Sequence, residues 1–395
     1  MIDSNRILNS PGFTIGLIAL LILIFTLYKF DVANKIVPGL IEASEFDISS
    51  SDTLHIFSFS GYFHEDVLRD FSRTYNVNVR VSLYDTNEQL RDSLLAGRSY
   101  DIVVPTDYMV TELLNSGLIQ SINKDRIKNY LNIDVRLREL DYDFGNNYSI
   151  PYFWGAIGLM YENNYVLNPP LSWKAIFDTT DIKQVRHRAA ILDDPRTSMG
   201  IALIANGHSP NTTDPSEISD AADSLIKIAP FLGSILSDGM EEKFENGQLY
   251  MAMNWSGSAA LATSIIPSIR FSMPAEGSIF FVDNLSIPMN AENTNLAYVF
   301  IDYLLEAENA AKMTNTNFYP NPITHSRRYI DRMILKGPAY FNPFLTSNSN
   351  IHFIRDLGDT DTLYIYHWQR FQDAYNRISV TKNVRQRGEN RIILH

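Results

Sequence analysis

The strongest constraint on this chain is an alternation of short apolar runs with helix-spaced segments, beginning near residue 54. Residues 54–59 form a short apolar run, and 65–75 place Val67, Leu68, Phe71 and Tyr75 at helical spacing. Residues 77–84 alternate as a strand does, 87–96 return to helical spacing, 100–105 form a short buried strand and 108–116 a helix. Strands buried on both faces and separated by helices imply a parallel, doubly wound α/β sheet. A second set follows: strands at 189–194, 249–255 and 279–283, and helices at 221–232 and 296–305. The strand at 279–283 leads back towards the first unit, and an aromatic amphipathic helix spans 363–376. The Pro/Asn clusters at 168–170 and 209–215 read as loops. At 395 residues the chain is too long for one ordinary domain and suits two units behind an N-terminal segment.

That segment sets the compartment. No charge occurs between Arg6 and Lys29, and 13–28 is nearly all apolar. Cleaved signals carry about 7–15 apolar residues and spanning helices about 20, so the run falls between the two. The best cleavage candidate, Val37-Pro38-Gly39, is poor, which favours an uncleaved membrane anchor over a removed signal peptide. Either reading exports the rest of the chain to the periplasm, and a buried core helix is the bland alternative. Residues 31–52 turn polar and Ser-rich and read as a linker.

Composition excludes several functions. A formal net charge of −12 argues against a nucleic-acid partner, which requires clustered Lys and Arg. The absence of cysteine removes disulfides, thiolate nucleophiles and lipid attachment through an N-terminal cysteine. The eight histidines are scattered singly without metal spacing, so neither metal nor cofactor is expected. No Gly-rich phosphate loop and no nucleophile elbow occur, and with no nucleophile and base to pair, the chain does not read as an enzyme.

What remains lies at the strand ends, where ligands of open parallel sheets bind. Ser60 and Tyr62 follow the first strand, Asp85 the second, and Thr106 and Tyr108 the third. In the second unit Asp193 and Asp194 end one strand, Trp255 another, and Asp283 the strand that returns. Aromatics and carboxylates recur at these ends while Lys and Arg are nearly missing. A desolvated ammonium requires that composition: a carboxylate partner, with about 0.5–2 kcal/mol more from each aromatic face. Structural readings stand beside these: Asp194 as a turn cap, Trp255 as core, Tyr62 and Tyr108 as lids over the core. Asp101, heading a strand, reads as structural.

The segments Leu54 to Tyr62, Tyr84 to Glu88, Tyr100 to Tyr108, Tyr148 to Gly155, Asn211 to Pro215, Met253 to Ser258 and Glu276 to Asp283 occur in an order and spacing that carry a resemblance. From about residue 53 to 376 the chain resembles the periplasmic spermidine/putrescine-binding proteins of ABC transporters. The resemblance implies a two-lobed periplasmic-binding-protein (type II) fold, each lobe a doubly wound sheet flanked by helices and joined to the other by hinge strands. The first lobe would be 53–159 with 282–327, the second 160–281 with 328–395, after 1–30 as signal or anchor. It further implies polyamine contact at Tyr62, Thr106, Tyr108, Asp194, Trp255, Asp283 and Tyr319, with Phe59 and Phe281 at positions usually Trp or Phe. Asp283 would pair with an amine and Trp255 pack along its methylene chain. Four positions depart from the pattern: Gly61, Thr197 and Ser258 where acids are found, and Ile354 where a Gln is. One end of the site thus looks stripped of acids, a pattern fitting a shorter diamine, a monoamine or an acylated polyamine. The expected partners are a small cationic amine and an ABC permease in the inner membrane, with the chain itself a monomer. An envelope sensor or interaction module on the same fold, without transport, is the alternative.

Overall fold

The computed structural model describes residues 52–337 and 350–392, with side chains to residue 378. The apolar run at 13–28 and nearly all of the 31–52 linker lie outside the described residues. Among the described residues no helix is long and apolar enough to cross a membrane.

The first sheet is parallel, in the order β2-β1-β3, from β1 (Thr53–Ser58), β2 (Asn78–Leu83) and β3 (Ile102–Val103). Ile56 of β1 faces Val81 on one side and Ile102 on the other. The crossover helix α1 (Glu65–Tyr75) starts at His64, whose side chain accepts from the Asp66 N–H, and buries Val67 and Phe71. Phe71 meets Phe300 of a later helix edge to face, with ring centroids 4.7 Å apart. Helices α2 (Asn87–Leu95) and α3 (Asp107–Asn115) complete the alternation read from the sequence.

The second sheet is mixed, a departure from the expected parallel arrangement. β5 (Ala189–Ile191) pairs in parallel with β6 (Leu232–Ile235) and β7 (Met251–Trp255). The 13-residue β4 (Ile150–Glu162), buried throughout, runs antiparallel to β7, β8 (Ile269–Ser272) and β9 (Ser278–Leu285). Two-residue β10 (Ile351–His352) adds to β9. β4 was not legible as a strand because both of its faces are buried, so no polar residue marks a period of two. β9 also reaches the first sheet: isolated bridges run from Thr106 to Asp283 and from Val103 to Ser286, just past its end.

Helices cover the second sheet. α4 (Pro195–Ala205) follows β5, and α5 (Pro215–Ile228) starts at an Asp214 cap with Pro at its first turn, earlier than the sequence spacing suggested. α6 (Ser256–Ile265) follows β7 directly. α7 (Thr294–Leu304) and α8 (Ala307–Asn317) return the chain to the first sheet. The C-terminal α9 (Asp361–Ile392) packs on α4 and α5, burying Tyr364, Trp368 and Phe371.

Candidate ligand-binding site

The loops beyond the strand ends converge on one cavity of about 360 Å³ between the two sheets. It brings together Phe59, Ser60 and Tyr62 after β1, Thr106 and Tyr108 after β3, Asp194 and Thr197 after β5, and Trp255 ending β7. Phe281 and Asp283 of β9 and Tyr319 after α8 complete the residues singled out in the sequence. Among the described residues, no Lys, Arg or His lines it.

Asp283 is 2% exposed and fully engaged on the first-sheet side. Its carboxylate accepts from the Tyr62 hydroxyl at 2.5 Å and from Thr106 Oγ1 at 2.7 Å. Thr106 is itself fixed by Asn87, which donates to Thr106 Oγ1 at 3.0 Å and accepts from the Thr106 N–H at 3.1 Å. Burial raises the Asp283 pKa to about 6, against the pull of its two hydroxyl donors. Burial, then the Asp283 charge, hold the Tyr62 hydroxyl well above its ordinary pKa, so it remains a donor. Asp107, also buried, accepts from the Val282 N–H at 3.0 Å and the Tyr108 N–H at 2.7 Å, tying the start of α3 to β9. Asp101 accepts from the backbone of His55 and Asn293, a structural role.

A continuous aromatic wall crosses from one sheet to the other. Phe59 packs on Tyr84 and Tyr62 with centroids 4.5 and 5.4 Å apart. Tyr62 meets Tyr319 at 6.0 Å, Tyr319 meets Phe281 at 6.1 Å, and Phe281 meets Trp255 edge to face at 5.2 Å. Two glycines permit this packing: a Cβ on Gly155 would lie 2.6 Å from the Phe281 ring, and one on Gly257 2.5 Å from the Tyr319 ring. Electron-rich ring faces beside a buried carboxylate give this cavity a lining whose chemistry suits a cation.

On the opposite side, Asp194 both caps and lines. Its side chain accepts from the Thr197 N–H at 2.7 Å, with Pro195 in the first turn of α4. Burial raises its pKa, opposed by the Thr197 hydrogen bonds and by Arg196. Arg196 turns to Asp361, Nε to Oδ1 2.9 Å, and stacks over the Tyr364 ring at 4.0 Å.

All four departures noted in the sequence line this cavity. Gly61 sits at φ +74°, a conformation that favours glycine over a side-chain-bearing residue. Ser258 lies 3.3 Å from the Tyr319 hydroxyl. Asp85, Asp107, Asp193 and Asp238 also line the cavity. Asp238 escaped notice because it follows β6, a four-residue strand with a half-exposed pattern that the sequence reading passed over. Asp85 stood at a strand end and was visible by the same rule that found Asp283.

The sequence model of the bacterial extracellular solute-binding proteins matches residues 66–334. The chain is 30% identical over 328 residues to the spermidine/putrescine-binding periplasmic protein of Salmonella typhimurium, covering 82% of this chain and 92% of that protein. It is 29% identical over 333 residues to the putrescine-binding periplasmic protein SpuD of Pseudomonas aeruginosa, covering 80% and 89%. The crystal structure of the TpPotD lipoprotein of Treponema pallidum superposes with a TM-score of 0.73 at 26% identity, over 81% of this chain and 99% of that one. In sequence and in fold, this chain belongs to the bacterial extracellular solute-binding protein family.

Proposed function

We propose that the protein captures a polyamine of the putrescine/spermidine class in this cavity and delivers it to a membrane permease, as the extracytoplasmic binding component of an ABC transporter. The observation that carries the reading is Asp283: a buried carboxylate, held by two hydroxyl donors, in an aromatic cavity without a basic side chain. An ammonium entering there supplies the charge that the site lacks. It returns the Asp283 pKa towards its ordinary range, and ring faces of Trp255, Phe281 and Tyr319 cover its methylene groups. Phe59, Ser60, Tyr108 and Thr197 would complete the enclosure.

In this reading the chain divides into lobes at 53–159 with 282–327 and at 160–281 with 328–395. β4 and β9 run between them, and ligand contacts from both lobes favour the closed form. The 13–28 run would export the chain and tether it beside its permease. Binding of this kind makes and breaks no covalent bond, in keeping with relatives named as polyamine-binding proteins.

Thermal denaturation of the purified full-length protein with a ligand panel tests the proposal. Putrescine and spermidine should raise the melting temperature, by several degrees at a hundredfold excess over Kd, while neutral diols of the same length should not. A rise with the diols alone, or with anionic ligands, would overturn it.

A further inference from the structure

We propose that Asn211, which lies outside the cavity, is a positioning residue for ligand binding: it holds Ile354 in place as part of the cavity wall. The inference rests on the amine-binding reading of the cavity and assigns a residue that acts on the ligand through another.

Ile354 is 7% exposed and lines the cavity, whereas neither Asn211 nor Arg196 does. Isoleucine has no polar atom with which to fix itself, so its place depends on how its backbone is held. The segment that carries it has little regular structure of its own. β10 ends at His352 after two residues, and Phe353 packs edge to face on Phe280 of β9, with ring centroids 5.3 Å apart. Past β10 the hold comes from a side chain. Asn211 donates from Nδ2 to the Phe353 carbonyl at 2.7 Å and accepts at Oδ1 from the Arg355 N–H at 2.8 Å. These are the two bonds by which a residue of a neighbouring parallel strand would clasp residue 354. At this step one side-chain amide stands in for a strand.

Asn211 is itself fixed. Its N–H donates to Ser209 Oγ at 3.2 Å. The hydroxyl of buried Tyr364, on α9, reaches the carbonyls on either side of it, Thr212 at 2.8 Å and Pro210 at 3.1 Å. Arg196, 5% exposed near the start of α4, donates from Nη2 to the Arg355 carbonyl at 3.0 Å and lies 3.4 Å from Asn211 Oδ1. Asp361 and the Tyr364 ring hold its guanidinium in turn. The 209–215 loop, α4 and α9 therefore meet at Asn211, and the place that they leave for residues 353–355 sets Ile354 at the cavity.

A double-mutant cycle on the full-length protein tests this, read as putrescine Kd by titration calorimetry, with melting curves showing that each variant is folded at the titration temperature. Asn211→Ala and Ile354→Ala should each weaken putrescine about tenfold. The double variant should match Ile354→Ala alone to within about twofold, because Asn211 acts only through that side chain. Should Asn211→Ala fail to fold, Asn211→Asp takes its place in the cycle; it keeps the acceptor for Arg355 and loses the donor to Phe353. Independent losses, about a hundredfold in the double variant, would overturn the proposal, as would either single variant binding like wild type. Failure of wild type to bind any amine would overturn the amine reading and this inference with it, a result that the cycle separates from failure of the brace alone.

Discussion

At the scale of single residues, Asp283 is a group that the fold keeps at a cost. Its folded pKa, about 6, lies above the ordinary value of 3.8. For an acid shifted upward, the folded state holds the proton more tightly than the unfolded state does. The stabilisation is therefore complete below about pH 3.8 and is lost as pH rises through 6. Above that, the ionised carboxylate burdens the unliganded protein by about 3 kcal/mol. Asp283→Asn should consequently melt several degrees higher than wild type at pH 8 without ligand, with the difference shrinking towards pH 4. Differential scanning calorimetry across that range checks the sign, and a variant less stable than wild type at pH 8 would contradict it. The position of Asp283 at a strand end was legible in the sequence. Its two hydroxyl donors were legible only as separate candidates, since Tyr62 and Thr106 reach it from 221 and 177 residues away.

At the scale of elements, the start of α4 shows why a structural and a functional reading of one residue need not compete. The side chain of Asp194 satisfies the helix N-terminus by accepting from Thr197, and the residue also lines the cavity. Asp194→Asn keeps the cap and should leave the melting temperature nearly unchanged while weakening putrescine about tenfold. Asp194→Ala should lose about 1 kcal/mol of stability as well. Thermal melts and titrations of the two variants separate the roles. The start of α6 does related work through an absence: Gly257 lets the helix lie against the Tyr319 ring. Gly257→Ala must push that ring away, so we expect a stability loss of about 1–3 kcal/mol from overpacking and a putrescine affinity lowered about tenfold, read by the same two measurements. The alternation of β1 to α3 was readable because each strand and helix has a clear period. β4 and β6 were not, one being buried on both faces and the other only four residues long. Loss of β6 from the reading hid Asp238, and loss of β4 hid the antiparallel half of the second sheet.

At the scale of the whole molecule, β9 connects the two sheets, and the cavity lies between them. β9 carries Phe281 and Asp283 and bridges to the first sheet at Thr106, so the strand that joins the halves also holds the charged centre of the site. On the proposed reading, a cation bound to Asp283 and covered by rings from both sides would draw the halves together, provided that it gains more contacts in the closed form than in the open one. Acids without cations in the cleft oppose the same closure when it is empty. The measurement that tests this most directly is small-angle X-ray scattering of the full-length protein and of Asp283→Asn, each with and without putrescine at one fixed concentration. The account predicts that the radius of gyration of the wild type falls on adding putrescine and that the variant's does not change. Equal compaction of the variant at that concentration, or amine binding to the wild type without any compaction, would contradict it.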